Sequence, residues 1–356
     1  MKENHEFAGK SLLVVGGAGF VGSNLSHMLL ESDIRSLTIV DNFLSSDRVN
    51  VPTDPRVRVV EGSIADDKTI ADLPMDIDYV WHLACYHGNQ SSIHDPVADH
   101  DNNTLTSLKL FEELSKRDNL TKVVYSAAGC AVAEKTYDEP SATSEDAPVS
   151  LFHDSPYSIS KLIGEMYGNY YFGRYGMPFV KARFQNVYGP REILGAGRWR
   201  GTYATVWRNV TPTFVWKALH GQTLGLDNGG LVSRDFIFVE DICRGLIACA
   251  IRGVPGEAYN IASGAETSIR ELAEFILELT GNKAQLNIQP ARDWDNSGRR
   301  FGSTEKSERE IGFRAQVDIR TGLAATVEWT RLHEREIRER MNWHAANMRL
   351  IGQPLD

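Results

Sequence analysis

A tyrosine and a lysine stand four residues apart in the segment Ser155-Pro-Tyr157-Ser-Ile-Ser-Lys161. On a helix this spacing puts both side chains on one face. An ammonium group beside a phenol favours the phenolate, which would make Tyr157 a usable base for a hydroxyl group. Because the Tyr-x-x-x-Lys pattern is common by chance, the alternative for an isolated match is a half-buried core tyrosine next to a solvated lysine.

A second motif, Gly16-Gly17-Ala18-Gly19-Phe20-Val21-Gly22, follows an apolar run at 11–15 and leads into a helical pattern. Its three spaced glycines suit a tight turn, close approach of the backbone to a pyrophosphate and close packing of a helix on a strand. Asp41 ends the next apolar run, where a carboxylate binds adenosine ribose hydroxyls and repels the extra phosphate of NADP. These features predict a dinucleotide site that favours NAD. Because Arg48 lies near the same loop, the choice between NAD and NADP stays open. A Gly-rich turn without a ligand is the alternative.

The elements that must hold these motifs alternate in type. Short β-branched runs predict strands at 11–15, 37–41, 56–60, 78–84, 121–126 and 179–184, and apolar residues at helical spacing predict a helix over 97–116. Further helices are predicted over 239–252 and 268–280, the second opened by a capping box between Ser268, or Thr267, and Glu271. We therefore expect an α/β protein, with a Rossmann-type doubly wound parallel sheet and a smaller C-terminal α/β substrate domain. Residues 1–184 would form the NAD-binding domain, with parts of about 212–250 packing back on it, and 185–356 mainly the substrate-binding domain.

Composition narrows the function classes. The chain has 356 residues, a formal net charge of -9, 42% hydrophobic and 24% charged residues. An acidic chain of this kind is not expected to bind nucleic acid, which requires clustered Lys and Arg. The four cysteines show no Cys-x-x-Cys spacing, so we expect neither a metal site nor a disulfide framework. With no apolar run of about 18 residues and no secretory signal pattern, we expect no membrane association and a cytoplasmic location.

With these motifs in order, the chain resembles the extended short-chain dehydrogenase/reductase family, specifically its NAD-dependent nucleotide-sugar epimerases and dehydratases. The resemblance extends over nearly the whole chain. Besides the glycine motif and the Tyr-Lys pair, it rests on TrpHisLeuAla from 81, AspAsnAsn from 101, ArgPheGlnAsnValTyrGlyPro from 183, AsnValThrPro from 209 and ArgAspPheIlePheValGluAsp from 234.

The resemblance implies a role for each matching position. Tyr157 would be the catalytic base, and Lys161 would tune it and hold the nicotinamide ribose. The implied NAD-binding residues are Gly16, Gly19, Phe20, Val21, Gly22, Asp41, Asn42, Ser63, Ile64, Leu83, Ala84, Asn103, Tyr157 and Lys161. The implied substrate-binding residues are His87, Asn186, Asn209, Arg234, Arg292 and Asp295. For Arg234 the guanidinium suits bidentate phosphate binding, with a surface ion pair to Asp235 as the alternative. For Arg292, Arg299 and Arg300 a solvated basic face is an equal alternative.

The chain departs from the family pattern after the fifth strand, where it reads Ser126-Ala127-Ala128-Gly129-Cys130. Ala128 stands where most members have a Ser or Thr that binds the reacting hydroxyl, so Ser126 is the remaining hydroxyl candidate. Cys130 matches the cysteine of some 3,5-epimerases of this family, and a thiol suits proton exchange next to a ketone. A buried, space-filling cysteine is the alternative. His87 is a further candidate for the second proton, and a histidine that only binds the backbone or a phosphate is its alternative.

Together these features predict an NAD-dependent epimerase of a nucleoside diphosphate sugar, with a UDP-sugar favoured, that makes precursors of a surface polysaccharide. A dehydratase or reductase of the same substrates is the first alternative, although Gly129 and Cys130 lack the acids that dehydratases carry. A non-catalytic NAD-binding scaffold is the second. Arginines of the 192–208 insertion, Arg198, Arg200 and Arg208, either meet an acidic sugar or belong to a solvated loop. The family further implies a homodimer through a four-helix bundle, whose second helix would present Ile159, Leu162, Ile163, Met166 and Tyr170.

Overall fold

Twelve strands are present in the computed structural model, which describes residues 6–129, 136–293, 295 and 298–355. The strands are β1 (Ser11–Val15), β2 (Ser36–Asp41), β3 (Val57–Glu61), β4 (Tyr79–His82), β5 (Lys122–Ala128), β6 (Phe179–Phe184), β7 (Asn186–Tyr188), β8 (Leu224–Asp227), β9 (Ser233–Phe238), β10 (Ala258–Ile261), β11 (Glu266–Ser268) and β12 (Leu286–Gln289). Seven of them form one parallel sheet in the order β10-β6-β5-β4-β1-β2-β3. The expected doubly wound parallel sheet is confirmed.

Helices cover both faces of this sheet. They are α1 (Phe20–Leu30), α2 (Asp67–Ala71), α3 (Asn89–His94), α4 (Pro96–Asp99), α5 (Thr106–Leu114), α6 (Pro156–Tyr175), α7 (Val210–Leu219), α8 (Val239–Arg252), α9 (Ile269–Thr280), α10 (Ile319–Leu332), α11 (Glu334–Asn342) and α12 (Ala345–Leu350). A π-helical turn, His100–Leu105, joins α4 to α5, so the helix predicted over 97–116 is present with a widened turn in its middle. The predicted capping box of α9 is also present, with Ser268 as its N-cap and Glu271 completing it.

Alternate residues of the strands fill two separate cores. Leu12 and Val14 pack in the core shared with α1 and α8, whereas Leu13 and Val15 pack in the core shared with α5 and α6. All four side chains are at most 1% exposed. A strand buried on both faces reads as a continuous hydrophobic run, which is why the sequence showed these strands clearly.

Helix α6 lies unusually close to the sheet because two of its glycines face it. A β-carbon on Gly164 would overlap the Tyr125 hydroxyl, and one on Gly168 would overlap the Phe179 ring. The same helix is tied to β6 by a buried bidentate ion pair in which Arg183 donates to both oxygens of Glu165, at 3.0 and 2.9 Å. These contacts fix the height at which the N-terminal turn of α6 meets the carboxyl ends of the strands.

The second half of the chain contributes to both layers. Helix α8 and strand β10 pack on and extend the main sheet, whereas α7, α9 and α10 enclose a separate core with β8 and β9. Two small sheets, β11-β9-β7 and β12-β8, belong to this second layer. The domain division at residue 184 stays a prediction. Within the part of the chain that the structure describes, no helix has both the length and the apolar character needed to span a bilayer.

Candidate active site

A cavity of about 1220 Å³ opens at the carboxyl ends of the strands, beside the point where the strand order reverses between β1 and β4. In doubly wound sheets, ligands bind at this switch point. Residues from the first sheet line one half of the cavity and residues from the second layer line the other. Its volume exceeds the roughly 300–1,000 Å³ of a pocket for one small ligand, so two ligands of nucleotide size fit side by side.

The glycine turn forms the floor of the first half. Gly16 has a φ of 83°, and a β-carbon on it would overlap the backbone of Ala84, so a side chain is excluded there. A β-carbon on Gly22 would overlap the carbonyl oxygen of Gly16. Helix α1 begins at Phe20, and its N-cap, Gly19, provides no side-chain cap. The first turn therefore offers backbone N–H groups and the positive helix end to the cavity, as a pyrophosphate requires.

Asp41 lies at the end of β2, on the wall of the same half. It is 7% exposed and accepts hydrogen bonds from the Ala18 N–H at 3.0 Å, the Phe43 N–H at 2.9 Å and the Ser46 hydroxyl at 2.7 Å. Burial raises the pKa of Asp41, and these hydrogen bonds oppose that rise. Arg48 binds Glu61 and stacks on the Phe43 ring instead of facing Asp41. The charge of Arg48 is thus paired with Glu61.

The other residues expected to bind the cofactor divide into two groups. Those that line the cavity are Gly16, Gly19, Phe20, Val21, Gly22, Asp41, Asn42, Ser63, Ile64, Leu83, Ala84, Tyr157 and Lys161. Asn103 does not line it, whereas its neighbour Asn102 does. The buried Asn103 side chain accepts from the Tyr86 N–H at 2.6 Å and donates to Asp99 and to the Ser160 hydroxyl, at 2.7 and 3.2 Å. It thereby joins the loop after β4 to helix α6.

Tyr157 and Lys161 lie in the first turns of α6, whose start is fixed on both sides. Ser155 is the N-cap and accepts from the Ser158 N–H at 3.3 Å, and the Tyr157 N–H donates to the Ser92 hydroxyl at 3.2 Å. The side chains of Tyr157 and Lys161 share one helix face, with the Lys161 Nζ 6.0 Å from the centre of the Tyr157 ring. Both line the cavity at the junction of its two halves.

Lys161 is 3% exposed, and Ser126 accepts hydrogen bonds from its ammonium group. Its Nζ donates to the Ser126 carbonyl at 2.8 Å and to the Ser126 hydroxyl at 3.3 Å, and that hydroxyl donates to the His82 carbonyl at 3.0 Å. The proton of the Ser126 hydroxyl is thus directed to the backbone. In this geometry Ser126 orients the ammonium group instead of offering a hydroxyl proton to a ligand.

Ala128 ends β5 and also lines the cavity, where it contributes a methyl group and no hydroxyl. Cys130, the predicted thiol acid or base, lies outside the described residues. The backbone before it is supported by Gln185, whose amide occupies the space that a β-carbon on Gly129 would take.

Opposite Tyr157, three polar side chains form a hydrogen-bonded row. The His87 ring lies edge-on to the Tyr157 ring with centroids 6.0 Å apart, and its Nε2 is 3.3 Å from the Asn209 Oδ1. The Asn209 Nδ2 donates in turn to the Glu192 Oε1. Burial, helped by Arg200, lowers the pKa of His87 to about 3, and burial raises the pKa of Glu192 to about 7.

In the second half of the cavity, Arg234 is 8% exposed and lines the wall with Asp295 and Arg292. Its guanidinium donates to the carbonyls of Ser233 and Gly298, at 2.6 and 2.7 Å, and stands 3.6 Å from the Asp295 carboxylate. Asp235, the alternative partner of Arg234, instead accepts from Ser263, Gly264 and Gly302.

The remaining positions named from the sequence are also placed. Arg292 pairs with Asp227 at 2.6 Å, and Asn186 and Arg300 line the wall. Arg299 binds Glu266 through two contacts, at 2.8 and 2.9 Å, and is not among the lining residues.

The arginines of the insertion donate to backbone carbonyls, and Arg208 also lines the cavity. Arg200, 6% exposed, donates to the carbonyls of His87 and Ala204, at 3.1 and 3.2 Å. Arg208 donates to the carbonyls of Ser45, Ala196 and Thr205. Arg198 donates to the Asn42 carbonyl at 2.7 Å. Their N–H groups bind backbone carbonyls and pack the insertion against two loops of the cavity, and a contact of these arginines with an acidic sugar stays a prediction.

Sequence reasoning missed Glu192 and the wall formed by β8 and β12, where Gly225, Asp227, Asn287 and Gln289 line the cavity. These two strands have four residues each and are separated by about 60 residues in the chain, so each pattern alone is too short to identify. The acid that follows Tyr-Gly-Pro-Arg was the one signal available for Glu192.

Comparison with known proteins gives a consistent picture. The model of the NAD-dependent epimerase/dehydratase family matches residues 12–262. The UDP-glucose 4-epimerase of Mycolicibacterium smegmatis is 30% identical over 325 residues, which cover 90% of this chain and 98% of the relative. The dTDP-glucose 4,6-dehydratase of Streptomyces antibioticus is 29% identical over 329 residues, which cover 90% and 92%.

Among solved structures, the Bordetella bronchiseptica enzyme WbmF in complex with NAD+ and UDP is 57% identical to this chain. Its TM-score is 0.87, and the match covers 96% of this chain and 98% of that one. The similarity therefore extends through the second layer and the insertion as well as the main sheet.

Proposed function

The chain belongs to the NAD-dependent epimerase/dehydratase family, and from that premise we propose that it is an NAD-dependent epimerase of a UDP-sugar. One observation carries the proposal: Tyr157 and Lys161 stand where the glycine-lined half of a two-ligand cavity meets the half walled by Arg234. The complex of WbmF with NAD+ and UDP supports this choice of ligands.

The residues of the chain perform the acid–base part of the reaction. NAD, when bound, supplies a reversible hydride acceptor. Tyr157 takes the proton of the sugar hydroxyl, and Lys161 stabilises the phenolate from the same helix face. Ser126 and the His82 carbonyl hold Lys161 in place. When the keto group is reduced from its other face, Tyr157 returns the proton, so the cycle has no net redox change.

We propose binding roles for the residues at both ends of the cavity. Asp41 binds the adenosine ribose and disfavours NADP, because its carboxylate would repel a 2′-phosphate. Arg234, with the nearby Arg292 and Asp295, takes the UDP diphosphate and ribose. Asn186 also lines the cavity.

A Tyr157→Phe variant tests the proposal. The purified wild-type protein with NAD is expected to interconvert one UDP-sugar of a panel, followed by NMR of the sugar signals, without deuterium uptake from D2O at the inverted carbon, because the hydride returns to the carbon that it left. Tyr157→Phe removes the one proton-transferring oxygen, and general acid–base groups contribute about 10²- to 10⁴-fold, so kcat is expected to fall by that factor. Tyr175→Phe, the same change on the exposed end of α6, is the control and is expected to keep wild-type kcat.

Each other outcome identifies a different protein. A stable keto-sugar would replace the epimerase with a dehydratase, and net consumption of NADH would replace it with a reductase. If no UDP-, dTDP- or GDP-sugar is converted and Tyr157→Phe changes nothing but stability, the chain is a non-catalytic NAD-binding scaffold.

We further propose that the protein is a homodimer and that it works in the cytoplasm. On α6, Ile159, Met166 and Tyr170 are 44, 55 and 53% exposed, whereas the opposite face carries Gly164 and Gly168 against the sheet. The apolar face expected to form a four-helix bundle is thus the outward one. Free thiols at Cys85, Cys243 and Cys249 suit a reducing compartment.

A further inference from the structure

Glu192 is a buried carboxyl group on the wall of the cavity, with one oxygen bonded and one not. It is 8% exposed, and its Oε1 accepts from the Asn209 Nδ2. Among the described residues its Oε2 has no hydrogen-bond partner and is shielded from solvent. A buried polar atom without a partner is costly, so its position beside the cavity indicates a role there.

The backbone around Glu192 is shaped to bring this side chain inward. The preceding residue, Arg191, has a φ of 72°, a left-handed conformation that is unfavourable for a residue other than glycine. Two distant asparagines hold the strained segment: Asn24 donates to the Pro190 carbonyl at 3.0 Å and Asn50 to the Arg191 carbonyl at 3.1 Å. The strain is therefore maintained by the surrounding structure.

Asn209 gives a second, independent indication. It is the N-cap of α7, a position where asparagine normally accepts a hydrogen bond from the first turn of its own helix. Here the side chain makes no such bond and lies between His87 and Glu192. The helix forgoes a cap that is worth about 1 kcal/mol.

The order of these bonds determines which nitrogen of His87 carries its proton. A carboxylate only accepts hydrogen bonds, so Glu192 must receive the NH₂ group of Asn209. The amide oxygen then faces His87, whose Nε2 must donate. If Glu192 is neutral, its proton belongs on the unpartnered Oε2, and Oε1 still accepts. The direction of the row is therefore the same in both protonation states of Glu192.

We propose that Glu192 and Asn209 are positioning residues that hold His87 as the neutral tautomer protonated on Nε2, which leaves Nδ1 to accept a hydrogen bond from a sugar hydroxyl beside Tyr157. His87 thereby provides a polar group in a cavity where Ala128 provides only a methyl group. Arg200, Arg208 and Lys161 all lower the pKa of His87 together with burial, so the ring stays neutral in the working pH range. The role toward the sugar rests on the proposed function, whereas the tautomer does not.

Nuclear magnetic resonance of the NAD-loaded protein with labelled histidine tests the positioning role without any substrate. The His87 signals are assigned by their loss in His87→Leu. We expect an Nε2–H proton that is observed from pH 5.5 to 8.5, is retained in Glu192→Gln and is lost in Asn209→Ala. Asn209→Asp, which keeps the shape of the side chain, is expected to raise the pKa of His87 by about 1 to 3 pH units through its added negative charge. The His94 signal is the internal reference.

A wild-type signal from Nδ1–H, or an Nε2–H signal unchanged in Asn209→Ala, would overturn the positioning role.

A kinetic experiment tests the role of His87 toward the sugar, with the UDP-sugar on which the wild type is active. His87→Leu is expected to lose about tenfold in kcat, which corresponds to one hydrogen bond to the substrate. His94→Leu, a nearby histidine outside the cavity lining, is expected to lose nothing. Wild-type kcat in His87→Leu would refute the role toward the sugar. If no sugar is converted at all, the proposed function fails while the tautomer result still stands.

Discussion

Glu192→Gln keeps an acceptor for the Asn209 amide and removes the ionisable carboxyl group. Burial raises the pKa of Glu192 from an ordinary 4.5 to about 7, while the bond from Asn209 and the charge of Arg208 oppose the rise. In the unfolded chain this group loses its proton near pH 4.5, whereas in the folded protein it keeps it until about pH 7. The folded state therefore binds more protons in this window, and the contribution of Glu192 to the free energy of unfolding falls as the pH rises through it.

The size of the effect follows from the separation of the two pKa values. Each pH unit corresponds to about 1.4 kcal/mol, so Glu192 lowers the free energy of unfolding by about 3 kcal/mol on passing from pH 4.5 to above pH 7. Glutamine does not titrate. The difference in stability between Glu192→Gln and the wild type should therefore change by about 2 to 3 kcal/mol in favour of the variant between pH 5 and pH 8, since part of the effect is already lost at pH 5. For 356 residues this corresponds to about 3 °C in Tm.

Urea unfolding followed by circular dichroism at pH 5 and pH 8 measures this double difference. Glu274→Gln, an exposed carboxyl group on α9, is the matched control and should show a difference close to zero at both pH values. If the stability difference between Glu192→Gln and the wild type is the same at pH 5 and pH 8 within 1 kcal/mol, then the pKa of Glu192 is not raised to about 7 in the folded protein, and the reasoning is refuted.

Two other substitutions test the cofactor floor and the outward face of α6. Gly22→Ala places a β-carbon on the Gly16 carbonyl, so the protein should be purified without nucleotide, as measured by absorbance after acid release. Gly173→Ala, a helical glycine with open space around it, should leave the nucleotide content unchanged. Met166→Glu puts a charge on the proposed dimer face and should give the mass of a monomer by light scattering. Val49→Glu, an equally exposed apolar position elsewhere, should not, and a monomeric wild type would contradict the dimer.

The main sheet could be predicted from the sequence because each central strand is buried on both faces. The strands predicted at 11–15 and 179–184 agree with β1 and β6 residue for residue. The strand predicted over 78–84 ends at His82 instead, because the chain turns there into the cavity wall. Strands β7 to β12 were not predicted, since runs of three to six residues carry little periodicity. Five of them belong to the two small sheets, and β10 is an edge strand of the main sheet.

The sequence predicted those parts of the site in which the residue types and their spacing suit a single chemical role. Three glycines at this spacing between a strand and a helix suit a pyrophosphate, and a tyrosine with a lysine one helical turn later suits proton transfer. The structure places all five of these residues on the cavity. Glu192 could not be predicted, because its burial depends on Asn24 and Asn50, which are more than 140 residues away in the chain. No local pattern distinguishes such an acid from a solvated one.

Arg200, which is buried, and Arg208, which is half-buried, show how the insertion is tied to both halves of the cavity. A buried guanidinium without partners is costly, so each must keep its carbonyl acceptors. Arg208 takes the Ser45 carbonyl beside the glycine-lined half, and Arg200 takes the His87 carbonyl beside Tyr157. If either loop moved away, one guanidinium would lose one of its carbonyl acceptors, so these bonds favour a constant distance between the two halves of the cavity. An epimerase needs this, because the hydride that leaves the sugar must return to it before either ligand departs.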